Sequence, residues 1–300
     1  MARNKKGRDV HGILLLDKSL GISSNRALQE VKRLYNANKA GHTGSLDPLA
    51  TGLLPVCFGE ATKVSAYLLD QDKRYQVVVQ LGIVTDTGDA EGVVIQNNPV
   101  VPFTKSELEN CLKDFVGPID QVPPMYSALK HQGKKMYEYA RDGLTIERKP
   151  RQITIYQLEL VEYKQDQLVL NVHCSKGTYI RTLAEDIGLA LECGATVNKL
   201  RRMAVGSFSI NQAHTIEQLQ AMGNDQLLQA MIAVDNPLSA IPAVNVTAEQ
   251  AQAIKHGQAL QIDDSVRGMV RIYSQQSFLG LGEMFLDGKL SPKKLFHLGG

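Results

Sequence analysis

The chain has 300 residues, 43% apolar and 21% charged, enough to bury a core in one large domain or two unequal ones. That composition excludes disorder, collagen-like repeats and a disulfide-stapled miniprotein. With 33 basic against 31 acidic side chains and a net charge of +2, bulk electrostatics selects no partner, so a polyanion must be met by local patches.

The chain opens on a basic stretch, ARNKKGRD, which reads either as a solvated tail or as an arm lying on phosphates. The apolar run after it, GILLLD, is too short for a signal segment or a membrane span. Cys57, Cys111, Cys174 and Cys193 are far apart and form no C-x-x-C pair. They read as buried reduced thiols, as in a cytoplasmic protein.

His11–Asp17 predicts a buried strand. Ser23 or Ser24 then caps a helix whose Ala27, Leu28, Val31, Leu34 and Tyr35 share one face. Arg74–Gly82 alternates as a strand with Tyr75, Val77 and Val79 on one side. Thr104-x-x-Glu107 is a capping box for a helix burying Leu108, Cys111, Leu112 and Phe115, with Gly117-Pro118 ending it. Two more alternating strands follow at Ile153–Tyr163 and Leu168–Cys174, then a helix over Thr178–Cys193. This irregular interleaving predicts an α+β fold with a mixed sheet.

Two stretches depart in composition. Tyr126–Arg151 holds seven Lys/Arg against three acids and supplies little core, so it reads as an inserted, solvent-reaching loop. Met203–Ile254 holds no Lys or Arg but four acids and reads as a structural extension away from any polyanion. After Asp235-Asn236-Pro237 a new pattern begins, with a capping box Thr247-x-x-Gln250, a helix to Gly257 and three or four short strands. In those strands Gly280-Leu281-Gly282 marks a bulge.

The densest punctuation is GHTGSLDPLATGLLPVCFGEATK, Gly41 to Lys63, a glycine-rich loop around one carboxylate, Asp47. Glycine lets backbone approach a ligand, and Asp-Pro opens a turn that projects the carboxylate. An Asp that merely bonds its own backbone is the plainer reading, against which the long loop weighs. The second candidate is HCSKGTYIRTLAEDIG, where free amides at a helix start beside Lys176 suit a phosphate. Arg181 lies in the first helical turn, and pairs either with Glu185 or with an anion at a site. The histidines are scattered without ligand spacing, so no metal is expected. Nucleophile-elbow, P-loop and dinucleotide motifs are missing from the sequence, so no cofactor is expected either.

The segments LLLDKSLGISS, HTGSLDPLATGLLP, DKRYQV, SALKHQGKKMYEYAR, SKGTYIRTLAEDIG and LRRMAVGSF resemble the bacterial TruB-type tRNA pseudouridine-55 synthases. The likeness runs in order from about Gly12 to Phe208 and continues more weakly to the C-terminus. One departure is Ser19, where that family usually has proline. The resemblance implies a pseudouridine synthase fold over residues 1–240, with the basic insert at about 121–151, and a small β-rich PUA-like RNA-binding domain over 241–300. It implies a monomer isomerising uridine 55 in the T stem-loop of tRNA, without a guide RNA.

Residue by residue, the resemblance makes Asp47 the catalytic aspartate, acting either at a sugar carbon or on the 2′ proton, and Arg181 its partner. Tyr75 would stack on the flipped base and help remove the C5 proton. Tyr179 and Leu200 would line the base pocket, and His42 would fill the place the base leaves, since unstacking costs a few kcal/mol. Lys18 and Lys63 would frame the site or touch phosphate. In the insert, Lys130, Lys134 and Lys135, with Arg141 and Arg148, would meet phosphates among interleaved tyrosines. Two other classes compete: an RNA-binding or remodelling protein, and a glycosidase-like carboxylate pair. The second is weakened because no other carboxylate occupies a comparable loop.

Overall fold

A computed structural model describes residues 7–299; Ala2–Lys6 of the basic tip lie outside the described residues. The principal sheet is built from β1 (Gly12–Lys18), β2 (Ala50–Phe58), β3 (Lys73–Leu81), β4 (Gly117–Gln121), β5 (Arg151–Lys164), β6 (Gln167–Cys174), β7 (Ala195–Val205) and β8 (Met231–Ile232). Their order is β8-β1-β2-β7-β3-β6-β5-β4. Every neighbouring pair is antiparallel except β2 with β7, so the sheet is mixed, as the sequence pattern predicts, and mainly antiparallel. Gly52 marks the parallel seam: its φ is +100°, and a Cβ there would run into the Arg202 backbone, so only glycine lets β2 approach β7 this closely.

Helix α1 (Ser24–Leu34) is capped by Ser23, whose side chain accepts from the Arg26 amide. Its Ala27, Leu28 and Val31 pack with Leu14, Leu16 and Val56 from β1 and β2. Helix α2 (Lys105–Lys113) carries the Thr104–Glu107 capping box, and with α3 (Ile180–Ala190) it covers the β3/β6/β5 half. The glycine and proline beyond α2 do not merely end it, because Gly117–Gln121 is itself β4. α3 starts two residues later than the periodicity predicts. Tyr179 is extended there, and its amide is taken by Gln121 Oε1 at 2.7 Å.

β4 and β5 pair with Gln121 opposite Arg151, so residues 122–150 leave the sheet and return to it at one point. This insert contains a hairpin, Lys130–His131 with Lys134–Lys135, and a short helix, Met136–Arg141. Met136 is its buried apolar anchor. The base-free stretch after Met203 is core-building: β8 closes the edge against β1, and Ile216, Leu219 and Leu227 join the α1 cluster.

A second sheet is formed by β9 (Ala243–Val246), β10 (Leu260–Gln261), β11 (Gly268–Ser274), β12 (Ser277–Met284) and β13 (Lys289–Leu295), in the order β9-β11-β12-β13-β10. Its register slips between Leu281 and Gly282, the bulge marked by the paired glycines. Phe278 and Leu281 of this sheet, with Phe296 just beyond its last strand, share a core cluster with Ile13, Leu15 and Val205 of the principal one.

Candidate active site

Asp47 sits at the head of a turn closed by the Ala50 amide on its carbonyl at 3.0 Å. The loop around it is held from several directions. Ser24 Oγ donates to the Leu46 carbonyl at 2.9 Å and accepts from the Leu46 amide at 2.7 Å. The Gly21 amide donates to the Pro48 carbonyl at 2.9 Å. Lys18, fully buried, places its Nζ at 2.9 Å from the Ser19 carbonyl, 2.7 Å from that of Ile22 and 3.5 Å from that of Pro48. From the other side, buried Arg202 donates to the Gly44 carbonyl at 2.9 Å and to Leu53 at 2.7 Å. A glycine-rich loop is thereby made rigid by donors outside it, the condition for presenting a carboxylate at a fixed place.

Arg181 reaches that carboxylate from the first turn of α3. Its Nη2 lies 3.1 Å from Asp47 Oδ2, and its Nη1 lies 3.2 Å from Asp89 Oδ2. The same guanidinium donates to the Thr87 carbonyl at 3.0 Å and the Tyr126 carbonyl at 2.6 Å. A pairing with Glu185 is thus set aside. Asp89 is buried and also accepts from Thr87 Oγ1 at 2.7 Å and the Glu91 amide at 3.1 Å. Its loop tucks against α3 at Gly88, where φ is +73° and a Cβ would strike Glu185. A second carboxylate does therefore stand in a loop beside the first, contrary to the expectation from sequence. The turn-rich TDTGDAEG stretch is its only local signal, and the partnership with Arg181 is long-range.

Asp47 keeps about half its side chain, 49%, open to the cleft. Burial of its surroundings raises its pKa above the ordinary 3.8, Arg181 opposes that rise, and Asp89 adds to it. Lys18 also opposes the rise, so two cations face the carboxylate in a partly desolvated place.

A cavity of about 310 Å³ opens over Asp47, lined by Tyr75, Tyr179, Leu200, Lys73 and Arg202 among others. Burial raises the Tyr75 phenol, with Arg202 opposing. Tyr75 and Leu200 arrive from adjacent strands, β3 and β7, with Tyr75 opposite Arg202 in register. Lys73, next to Tyr75 but one, buries its ammonium on the Leu69 and Gln71 carbonyls at 2.7 and 2.5 Å. Burial lowers Lys73 and Lys18 alike to about 8. Lys73 and Arg202 stand in the quoted motifs, yet only the fold shows that they reach the cleft.

A second cavity of about 600 Å³ adjoins the first and is lined by His42, Lys135 and Arg141. His42, from the short strand Ala40–His42, has a buried Nδ1 without a partner among the described residues. Burial lowers its pKa, and Arg202 and Lys135 lower it further.

Other expected residues are placed elsewhere. Lys63 does not frame the cleft. Its 3₁₀ turn, Gly59–Val64, faces the second sheet, so its ammonium contacts Glu60 at 2.5 Å and the Leu295 carbonyl at 2.7 Å, above the Phe296 ring. Lys176 pairs with Asp70 at 2.8 Å on the surface, beside cleft-lining Ser175 and Gly177. The amide nest expected at that helix start is partly used up, since Gln121 occupies the Tyr179 amide. Lys134 pairs with Asp142 at 2.5 Å and lies over Tyr139; Lys135 lies over Tyr137, and Lys130 is exposed.

The architecture recurs in a crystal structure of a Cbf5-Nop10-Gar1 complex, with a TM-score of 0.71 and 25% identity over 96% of this chain and 85% of that one. The family matches place the chain in the pseudouridylate synthase class: TruB family pseudouridylate synthase (N terminal domain) matches residues 32–180, tRNA pseudouridylate synthase B C-terminal domain matches 181–238, and Pseudouridine synthase II TruB, C-terminal, matches 242–296. Curated relatives named tRNA pseudouridine synthase B include one from Chromohalobacter salexigens, 49% identical over 99% of this chain and 98% of its own. Another, from Vibrio cholerae serotype O1, is 50% identical over the whole of both chains. The chain belongs to the TruB family of pseudouridylate synthases.

Proposed function

We propose that this protein isomerises uridine 55 in the T loop of tRNA to pseudouridine, acting alone on a flipped-out base. The relatives' name supports tRNA as the substrate. The observation that carries the chemistry is the Asp47–Arg181 pair at 3.1 Å, open to a nucleoside-sized cavity beside Tyr75. The reaction breaks N1–C1′, turns the base and joins C5 to C1′. The proton lost from C5 is balanced by the one N1 gains. Ionised Asp47 acts on the sugar–base unit, either at a sugar carbon or at the 2′ proton, while Arg181 holds it ionised and aimed. Tyr75 stacks on the uracil and assists loss of the C5 proton. Tyr179 and Leu200 bound the base, and His42 takes its place in the T-loop stack.

Lys135 and Arg141, lining the larger cavity, take phosphates, with Lys130 and Lys134 on the same hairpin adding charge. Residues 241–300 act as a PUA-like RNA-binding domain on a catalytic unit of residues 1–240, and the enzyme works as a cytoplasmic monomer without a guide RNA. No helix among the described residues is long and apolar enough to cross a membrane. A carbodiimide-based map of a T-stem-loop RNA before and after incubation tests the reading. One new pseudouridine at position 55 is expected; a cleaved base or an unmodified RNA would refute it.

A further inference from the structure

The two cavities share a wall. The segments Ser45–Asp47 and Tyr126–Ala128, with Arg181, line both the smaller cavity holding Tyr75 and the larger one holding Lys135 and Arg141. A nucleotide whose base lies against Tyr75 and whose strand lies along the basic side must cross this wall with its sugar and phosphate. Ser127 stands there.

Its backbone is fully engaged: the amide donates to the Met125 carbonyl at 2.9 Å, and its carbonyl accepts from the Tyr137 amide at 3.1 Å. Its hydroxyl is different. The residue is only 4% exposed, yet Oγ has no hydrogen-bond partner among the described residues. The nearby Tyr179 hydroxyl feels it: a side-chain interaction with Ser127 opposes the burial-driven rise of that phenol. A buried hydroxyl left unpaired is costly, and such a group in a native protein calls for a partner.

Building on the proposed pseudouridylation, we propose that Ser127 is a substrate-contacting residue. Its Oγ–H donates to a sugar–phosphate oxygen of the target nucleotide, either the ribose 2′-oxygen or a flanking phosphate oxygen, as that nucleotide crosses between the cavities. The preceding residue, Tyr126, gives its carbonyl to Arg181, so the same short segment touches both the nucleotide and the partner of Asp47.

Ser127→Ala should lower kcat/KM on T-stem-loop RNA about tenfold without lowering the melting temperature of the RNA-free protein, because the removed hydroxyl has no partner there. Ser127→Thr, which keeps a hydroxyl, should recover most of the activity. Affinities measured in an Asp47→Asn background, with all-ribose RNA, RNA carrying a 2′-deoxy target and RNA carrying a methylphosphonate beside it, should then name the oxygen. On one modified RNA the Ser127→Ala penalty should vanish, the signature of a direct contact. Unchanged kcat/KM, a lowered melting temperature, or a penalty that persists on both modified RNAs would overturn the proposal. Wild-type pseudouridine formation on the all-ribose RNA tests the functional reading separately.

Discussion

Lys18, Lys73 and Arg202 lie beneath the cleft with their donors turned to backbone carbonyls, whereas Lys130, Lys134 and Lys135 stand on a hairpin of the insert. The first group is buried at a cost, visible in the two lysines driven down to about 8, and its Lys18 and Arg202 hold the Asp47 loop. The second is paired weakly, as at Lys134–Asp142, where both side chains are more than a third exposed, and such a pair contributes little that binding elsewhere would forfeit. On the proposed function, the buried cations position the site and the hairpin cations supply RNA affinity.

The sharpest way to break that division is at Arg181, which is buried like the first group and touches Asp47 itself. Arg181→Ala should lower turnover on the order of a thousandfold, and Arg181→Lys should recover only part, lacking the planar fork that spans Asp47 and Asp89. The pH profile gives a second readout. On the proposed function Asp47 acts ionised, and its pKa is raised by burial while Arg181 opposes the rise. Activity should therefore fall with acid at a pH above the ordinary carboxylate range, and losing the guanidinium should move that limb higher. A limb unmoved in Arg181→Ala would separate the two groups.

Tyr75→Phe keeps the ring and loses the hydroxyl. Turnover should drop about a hundredfold while RNA binding stays near normal, and Tyr75→Leu should be at least as slow. Equal rates for wild type and the phenylalanine variant would reduce Tyr75 to stacking.

Lys18→Met should lower kcat about tenfold by loosening the loop, with the salt dependence of binding unchanged. It should also alter the stability profile. The folded Lys18 titrates near 8 against 10.5 when unfolded, so the unfolded chain binds more protons between those values and stability rises with pH across them. The methionine variant should show a smaller rise in denaturant titrations.

The mildest effect on turnover is expected from changing Lys130, Lys134 and Lys135 together to Gln. Binding of every tRNA should weaken alike, and the log–log salt slope should flatten by up to about 0.7–0.9 for each phosphate no longer neutralised. Rates at saturating tRNA should change little. Parallel slopes would make the hairpin a solvated face.

Much of this was legible in the sequence because local physics decides it. The capping boxes at Thr104 and Thr247 and the alternation of β3, β5 and β6 need only neighbours in the chain. Asp47 stands out through glycine density and the quoted motifs. What stayed hidden depends on interactions across the fold. Asp89 resembles an ordinary turn aspartate until α3 brings Arg181 to it, and Ser24 resembles a helix cap although its hydroxyl grips the Asp47 loop. Lys63 shares a motif with the loop, yet the 3₁₀ turn carrying it faces the second sheet. The start of α3 departs from the periodicity because Gln121, from a distant strand, holds Tyr179 extended.

The most direct test of the account is Asp47→Asn, measured for single-turnover rate, tRNA affinity and melting temperature together. The amide keeps the side chain's shape and removes only its charge, while Arg181 retains Asp89, Thr87 and Tyr126 as partners. Pseudouridine formation should fall below a hundredth of the wild-type rate, with affinity within a few-fold and melting temperature not lowered. A variant that still turns over at more than a hundredth of that rate would contradict the assignment of the chemistry to the Asp47 carboxylate.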